Sequence, residues 1–216
     1  MYLILKKRVV YLILCVSFLF VLGCFPKGRV SYIEQFVIDY SPPKFENISP
    51  LITSIKIERF SIVEVYNNTR MNYKTSPYKI DNYTNGRWRI NPSELLSDYF
   101  IRDLAHANMF VKVFSYKEPS DGVFSLEAGI EDFVEIIEDN KSYSVLTVNI
   151  VLLDNRETDI TKKIVFQKKY SEKELITEHN PESFAKGMSI AFKRISVKII
   201  NDIYNSLKQH DMITLN

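Results

Sequence analysis

Lys6-Lys7-Arg8 is followed by fourteen residues, Val9 to Leu22, in which only Ser17 is polar, and the run closes on Val21-Leu22-Gly23-Cys24. This feature limits what the chain can fold into more than any other. A membrane-spanning helix needs about 20 apolar residues, whereas a charged start, a shorter apolar run and a small residue at the end have the proportions of an export signal. Residues 1–23 are therefore expected to be removed, and the folding problem begins at Cys24. No cysteine follows it, so the rest of the chain can form neither an intrachain disulfide nor a thiolate metal site. The core must come from packing alone.

The tetrapeptide ending at Cys24 resembles the lipobox of bacterial lipoproteins: an aliphatic residue, a tolerant position, a small residue, then an obligatory cysteine. The resemblance implies a diacylglyceryl group on the Cys24 thiol, cleavage before it and N-acylation. Residues 24–30, with Pro26 and Gly28, then form a lipidated tether. At ~0.8 kcal/mol per buried CH₂, one acyl chain holds marginally and two or more hold firmly. Retention in the inner membrane usually uses Asp after the cysteine. Phe25 stands there, so the expected location is lipid-anchored and periplasm-facing, at the outer rather than the inner membrane.

The formal charge of +2 includes Lys6, Lys7 and Arg8; without them 25 basic residues face 26 acidic ones, a net charge of −1. No basic run survives, so the domain offers no electrostatic footprint for nucleic acid. The remaining length suits one domain, over 31–208, with a loose tail at 209–216. Thirteen Tyr, fourteen Phe and only six Gly favour a sheet-containing core.

Ser31–Tyr40 reads as a first strand, stopped by Pro42-Pro43, and Ser54–Val63 as a second. Tyr66–Ile90 is polar and Tyr-rich. It reads as an irregular, projecting hairpin with Asn85-Gly86 as its turn. Asn91-Pro92-Ser93-Glu94 combines a cap, a proline at the first helical position and an acidic third position. It opens a helix with the apolar stripe Leu95, Leu96, Tyr99, Phe100 and Leu104, ending near Asn108. Phe110–Tyr116 follows as a strand that the crossover rule makes a parallel neighbour of the second. Val123–Ile137, Ser142–Asp154 and Ile160–Tyr170 read as an antiparallel meander. Asn180-Pro181-Glu182 opens a second helix, whose stripe of Phe184, Met188, Ala191, Ile195, Ile199 and Ile203 should cover the sheet. Two helices on one face of a largely antiparallel mixed sheet make an α+β, two-layer sandwich.

No catalytic constellation is found. His106, His179 and His210 are scattered, with no ligand spacing around them, so neither a metal nor a cofactor is expected, and the chain is not read as an enzyme. Glu127, Glu131 and Glu135 fall on one face of their strand by simple alternation. Two carboxylates of this kind could serve a glycosidase, but a solvent-facing strand is the preferred reading. Asp132-Phe133 interrupts the apolar register and marks a bulge. The Tyr66–Ile90 stretch stands out instead, because clustered aromatics with Arg70, Arg87 and Arg89 have the composition of binding hot spots. Tyr78 and Tyr83 are the candidate partner contacts, to a sister subunit or another protein. Trp88 is the candidate structural anchor of the hairpin base.

These residues carry a wider pattern. Ser31-Tyr32-Ile33, Ile55-x-Ile57-x-x-Phe60, Ser76-Pro77-Tyr78-Lys79-Ile80 with Tyr83 and Trp88, then Pro92, Leu95, Leu96 and Phe110-x-x-Val113 resemble the ABC-type transport auxiliary lipoprotein family. That family includes the lipoprotein of the paraquat-inducible operon. Ile130-x-Asp132-Phe133, Leu152-Leu153-Asp154 and the Ala185, Met188, Ala191 helix fit it as well. The likeness runs from Tyr32 to Tyr204 and departs at Asn85-Gly86 and Ile33. It implies a non-catalytic accessory component of an ABC/MCE-type lipid transport system, docking the periplasm-spanning component at a membrane. Its implied partners are an MCE-domain periplasmic protein, the ABC permease and ATPase, and further copies of itself in a homo-oligomer. The alternative is an assembly or plug lipoprotein of another outer-membrane machine, or an activator of a wall synthase.

Overall fold

The computed structural model describes residues 32–46 and 48–214, so Cys24 and the segments expected at 1–23 and 24–30 lie outside the described residues. In chain order the elements are β1 (Glu34–Phe36), β2 (Leu51–Ile57), β3 (Ser61–Ile62), a 3₁₀ turn (Glu64–Tyr66), β4 (Arg70–Ser76), β5 (Lys79–Trp88), α1 (Pro92–His106), β6 (Phe110–Ser115), β7 (Phe124–Glu138), β8 (Lys141–Asp154), α2 (Ile160–Lys163), β9 (Ile164–Ile176) and α3 (Pro181–Thr214).

The expected meander forms the backbone of the sheet. β7 and β8 pair antiparallel along their whole length, and β9 adds antiparallel to β8. Asp139 and Asn140 join the first two with φ of 49° and 58°, the left-handed pair that a tight hairpin turn requires. Along its other edge β7 is met in parallel by β2, β3 and β4 in succession. β2 carries β6 in parallel, as the crossover through α1 predicts. β4 carries antiparallel β5, and β5 carries β1 in parallel. The sheet is therefore mixed, with its longest ladders antiparallel.

α3 lies along β8 and β9, and α1 lies against β6 and β3. The stripes of both helices share one core with Leu126, Ala128 and Ile130 of β7 and Leu146, Val148, Ile150 and Leu152 of β8. The α+β sandwich read from the sequence is the architecture observed. Asn91 Oδ1 accepts from Ser93 N–H and Asn180 Oδ1 from Ser183 N–H, so both helices start where their caps stand. Glu94 does not close a capping box; it pairs with Arg59 at 3.1 Å.

Several expectations need correction. The first strand shrinks to three residues, because its partner β5 ends at Trp88, the residue opposite Phe36. The chain after it is an extended strap held by helix side chains. Asp39 N–H donates to Ser189 Oγ at 3.0 Å and Ser49 N–H to Tyr204 Oη at 3.0 Å, while Tyr40 Oη donates to buried Asp103 at 2.6 Å. The second strand breaks into β2 and β3. The hairpin turn sits at Pro77-Tyr78, and Asn85-Gly86 lies inside β5. Gly86 takes no positive φ. It is needed for room, since a Cβ there would stand 2.6 and 2.7 Å from ring carbons of Pro181 at the start of α3. The hairpin does not project free: β4 joins β7, and β1 covers part of β5. The last helix runs on to Thr214, through much of the segment expected as a loose tail.

Candidate functional site

One end of the sheet gathers the β4–β5 turn, the β7–β8 turn, the end of β9 and the start of α3. Its geometry depends on one bulge. The β7–β8 register shifts between Ile130 and Asp132, so one extra residue enters β7 and reverses which face the following residues occupy. Glu127 stays exposed, and Glu131 lies at the surface with Lys169 at 2.5 Å. Glu135 is turned inward and is 0% exposed. The expectation that Glu131 and Glu135 share a solvent face is thus overturned by the bulge between them.

The buried Glu135 carboxylate is held from two sides. Tyr83 Oη donates to Oε2, and His179 Nδ1 lies 2.8 Å from Oε1 and 2.8 Å from Tyr83 Oη. Tyr73, paired directly with Glu135 in the ladder, completes an aromatic cage. Its ring centroid is 5.2 Å from that of Tyr83 and 4.8 Å from that of His179. Burial, and then the hydrogen bond to the Glu135 carboxylate, push the Tyr83 phenol well above its usual range. The cluster ties together β5, β7 and the loop between β9 and α3. Two open clefts flank the β7–β8 turn, one of about 470 Å³ touched by His179 and one of about 610 Å³ beside Lys74 and Pro77. Glu135 lines neither, so this carboxylate, phenol and imidazole act on each other.

Tyr83 is therefore not the surface contact expected of it; it is 8% exposed. Tyr78, at the turn, is 99% exposed. Trp88 is 1% exposed, with its ring 5.0 Å from Phe133 and 5.5 Å from Phe184 of α3. Its indole N–H is buried without an acceptor among the described residues, so it holds the hairpin base by ring packing alone. Glu135 and His179 escaped sequence reasoning as a pair. The available signal was the bulge, which changes the face of every later residue in β7.

On the helix-free face of this end, register pairing sets Ile80, Lys74, Ile136, Tyr143 and Leu175 side by side across five strands. At the usual strand spacing this row is about 19 Å long. Ile80 and Leu175, at its two ends, are exposed. Lys173 Nζ sits 4.3 Å over the Tyr143 ring and pairs with Glu138, and Lys79 pairs with Asp81 at 2.8 Å. Among the described residues there is no group of three His, Cys, Asp or Glu side chains placed to hold a metal ion, and no helix long and apolar enough to cross a membrane.

No family model matches the sequence, and no curated protein does. Solved structures match in fold. The crystal structure of protein XCC0632 from Xanthomonas campestris, of family DUF330, superposes with a TM-score of 0.71 at 12% identity, covering 83% of this chain and 99% of that one. A second crystal structure, of an uncharacterized protein, gives a TM-score of 0.58 at 10% identity, covering 76% and 99%. At such identities the likeness establishes a shared fold and no more.

Proposed function

We propose that this chain is a lipid-anchored, periplasm-facing accessory protein of an ABC/MCE-type intermembrane lipid transport system. It is non-catalytic and docks the periplasm-spanning MCE-domain component at a membrane, preferentially the outer one, as a homo-oligomer associated with the permease and ATPase. The observation that carries the reading is the unity of the segment in which the family resemblance is most specific. Ser76-Pro77-Tyr78 makes the turn of the hairpin, Trp88 closes its base in the core, and Asn91-Pro92 caps α1. Residues that look like a motif in the sequence thus build one continuous piece of the fold. The anchor on Cys24 supplies the membrane attachment.

The test is purification of the full-length protein from gently solubilised membranes, with partners identified by mass spectrometry. Recovery of an MCE-domain protein with a permease and an ATPase is the expected result. Recovery of an outer-membrane assembly machine or a wall synthase instead would replace the reading with its alternative. Metabolic labelling with an acyl analogue should mark the wild type and leave Cys24→Ala unmarked; equal labelling of both would remove the anchor from the account.

A further inference from the structure

We propose that the hairpin end of the sheet, with Tyr78, Ile80 and Leu175 foremost, rests in the interface of the membrane that holds the lipid anchor. The inference rests on the anchor at Cys24 and adds a second attachment, which fixes how the domain stands.

β1 is parallel to β5, with Glu34 beside Gly86 and Phe36 beside Trp88. Stepping back from Phe36 to Glu34 therefore means moving along β5 toward the hairpin turn. The chain enters the sheet from the hairpin side. From Gly86 to Lys79, where β5 begins, is about 23 Å at the rise of a strand. The ten residues from Cys24 to Glu34 can span at most about 36 Å. The turn can thus touch the bilayer while the tether follows its own direction of entry.

The side chains leading at this end are a fully exposed tyrosine and exposed aliphatic residues, with Ile33 also exposed just ahead of β1. Tyrosine favours the interface because one end of its ring is apolar and the other is wet. Of the charges around the row, Lys79 is paired with Asp81 and Lys173 with Glu138, and the Lys74 ammonium lies 5.9 Å from the centroid of the Tyr66 ring. The contact is accordingly led by apolar and aromatic side chains.

The absence of cysteine after Cys24 makes the test direct, because a thiol introduced elsewhere is the only free one in the processed, lipidated chain. The full-length protein is purified with its anchor and placed in vesicles of phosphatidylcholine, and separately of phosphatidylethanolamine with phosphatidylglycerol. It carries a nitroxide at Tyr78→Cys or, as the opposite-end control, at Ile160→Cys; both positions are exposed, so neither change threatens the fold. At position 78 relaxation by a water-soluble nickel chelate should be lost and relaxation by oxygen retained, equally in both lipids, while position 160 stays open to nickel. Nickel access at both positions would overturn the proposal. Shielding of position 78 from nickel and oxygen alike would overturn it in favour of a protein, a second copy or another partner, on this surface. Flotation of the vesicles reads the anchor independently. A chain that floats with position 78 in water loses only this inference, and a chain that does not float loses the anchor as well.

Discussion

Tyr78 and Tyr83 share one hairpin and one residue type, yet their surroundings assign them opposite duties. Tyr83 supplies the proton that satisfies a fully buried carboxylate, and leaving such a group short of a partner costs about 1–3 kcal/mol. Tyr83→Phe should lower stability by that amount in urea unfolding, whereas Tyr78→Ala should stay within about 0.5 kcal/mol, as exposed substitutions do. The same chemistry predicts a pH response. Burial foremost, with the neighbouring carboxylates Asp103, Glu135 and Asp202, raises the phenols of Tyr40, Tyr83 and Tyr170. An unfolded tyrosine ionises near pH ~10. Above that pH the unfolded chain has released protons that the native state still holds, so stability present below about pH 10 is lost as pH rises. Unfolding midpoints measured across the alkaline range should fall for the wild type and less steeply for Tyr83→Phe. Equal slopes would show that this phenol ionises alike in both states.

At the scale of elements, α3 is the cover without which β8 and β9 would face water. Ile195 is central to its buried stripe, and Ile195→Ala should cost about 2–5 kcal/mol. Gly187 separates packing from propensity. Exchanging a helical glycine for alanine ordinarily favours the helix by about 1 kcal/mol. Here a Cβ would stand 2.5 Å from Ile176 Cγ2 and 2.9 Å from Ser144 Cβ and would collide with Ser144 Oγ. Gly187→Ala should therefore destabilise by about 1–3 kcal/mol, the usual range for overpacking. A gain in melting temperature would mean that α3 can lift from the sheet without penalty. The outer strand β9 carries charges on both faces, with Lys168 reaching Asp202 of α3 and Lys169 reaching Glu131 of β7. Such an edge resists pairing with another chain.

For the whole molecule, the core joins both helices and the sheet into one hydrophobic cluster. With no cysteine after Cys24, the fold should rest on burial and hydrogen bonding alone. A soluble domain starting at Arg29 should melt at the same temperature with and without a chelator, and with and without a reductant. A large fall with either would reveal a metal or a covalent link on which folding depends. The fold shared with XCC0632 at 12% identity fits this view, since a layered core of suitable volume and pattern tolerates wide change of sequence.

What the sequence determined was whatever depends on neighbours along the chain. Asn91 and Asn180 mark helix starts because a cap acts within a turn of its own position. The stripes from Leu95 and from Phe184 declare their buried faces through helical period alone, and the crossover through α1 implies that β2 and β6 are parallel. Tertiary structure decided whatever depends on distant partners. Asn85-Gly86 has the chemistry of a turn, but Gly86 is small because Pro181 lies against it. Residues 37–40, read as the end of the first strand, became part of a strap because β5 stops opposite Phe36 and helix side chains offered partners instead. One added residue between Ile130 and Asp132 turned Glu135 from the expected solvent face into the core. There Tyr83 and His179 could meet it only because β5 and the start of α3 fold back to the same end of β7. A strand's facing is a matter of parity, and parity is reset by a single bulge; the broken apolar register at Asp132 marked that bulge, and the packing around it decided that Glu135 turns inward.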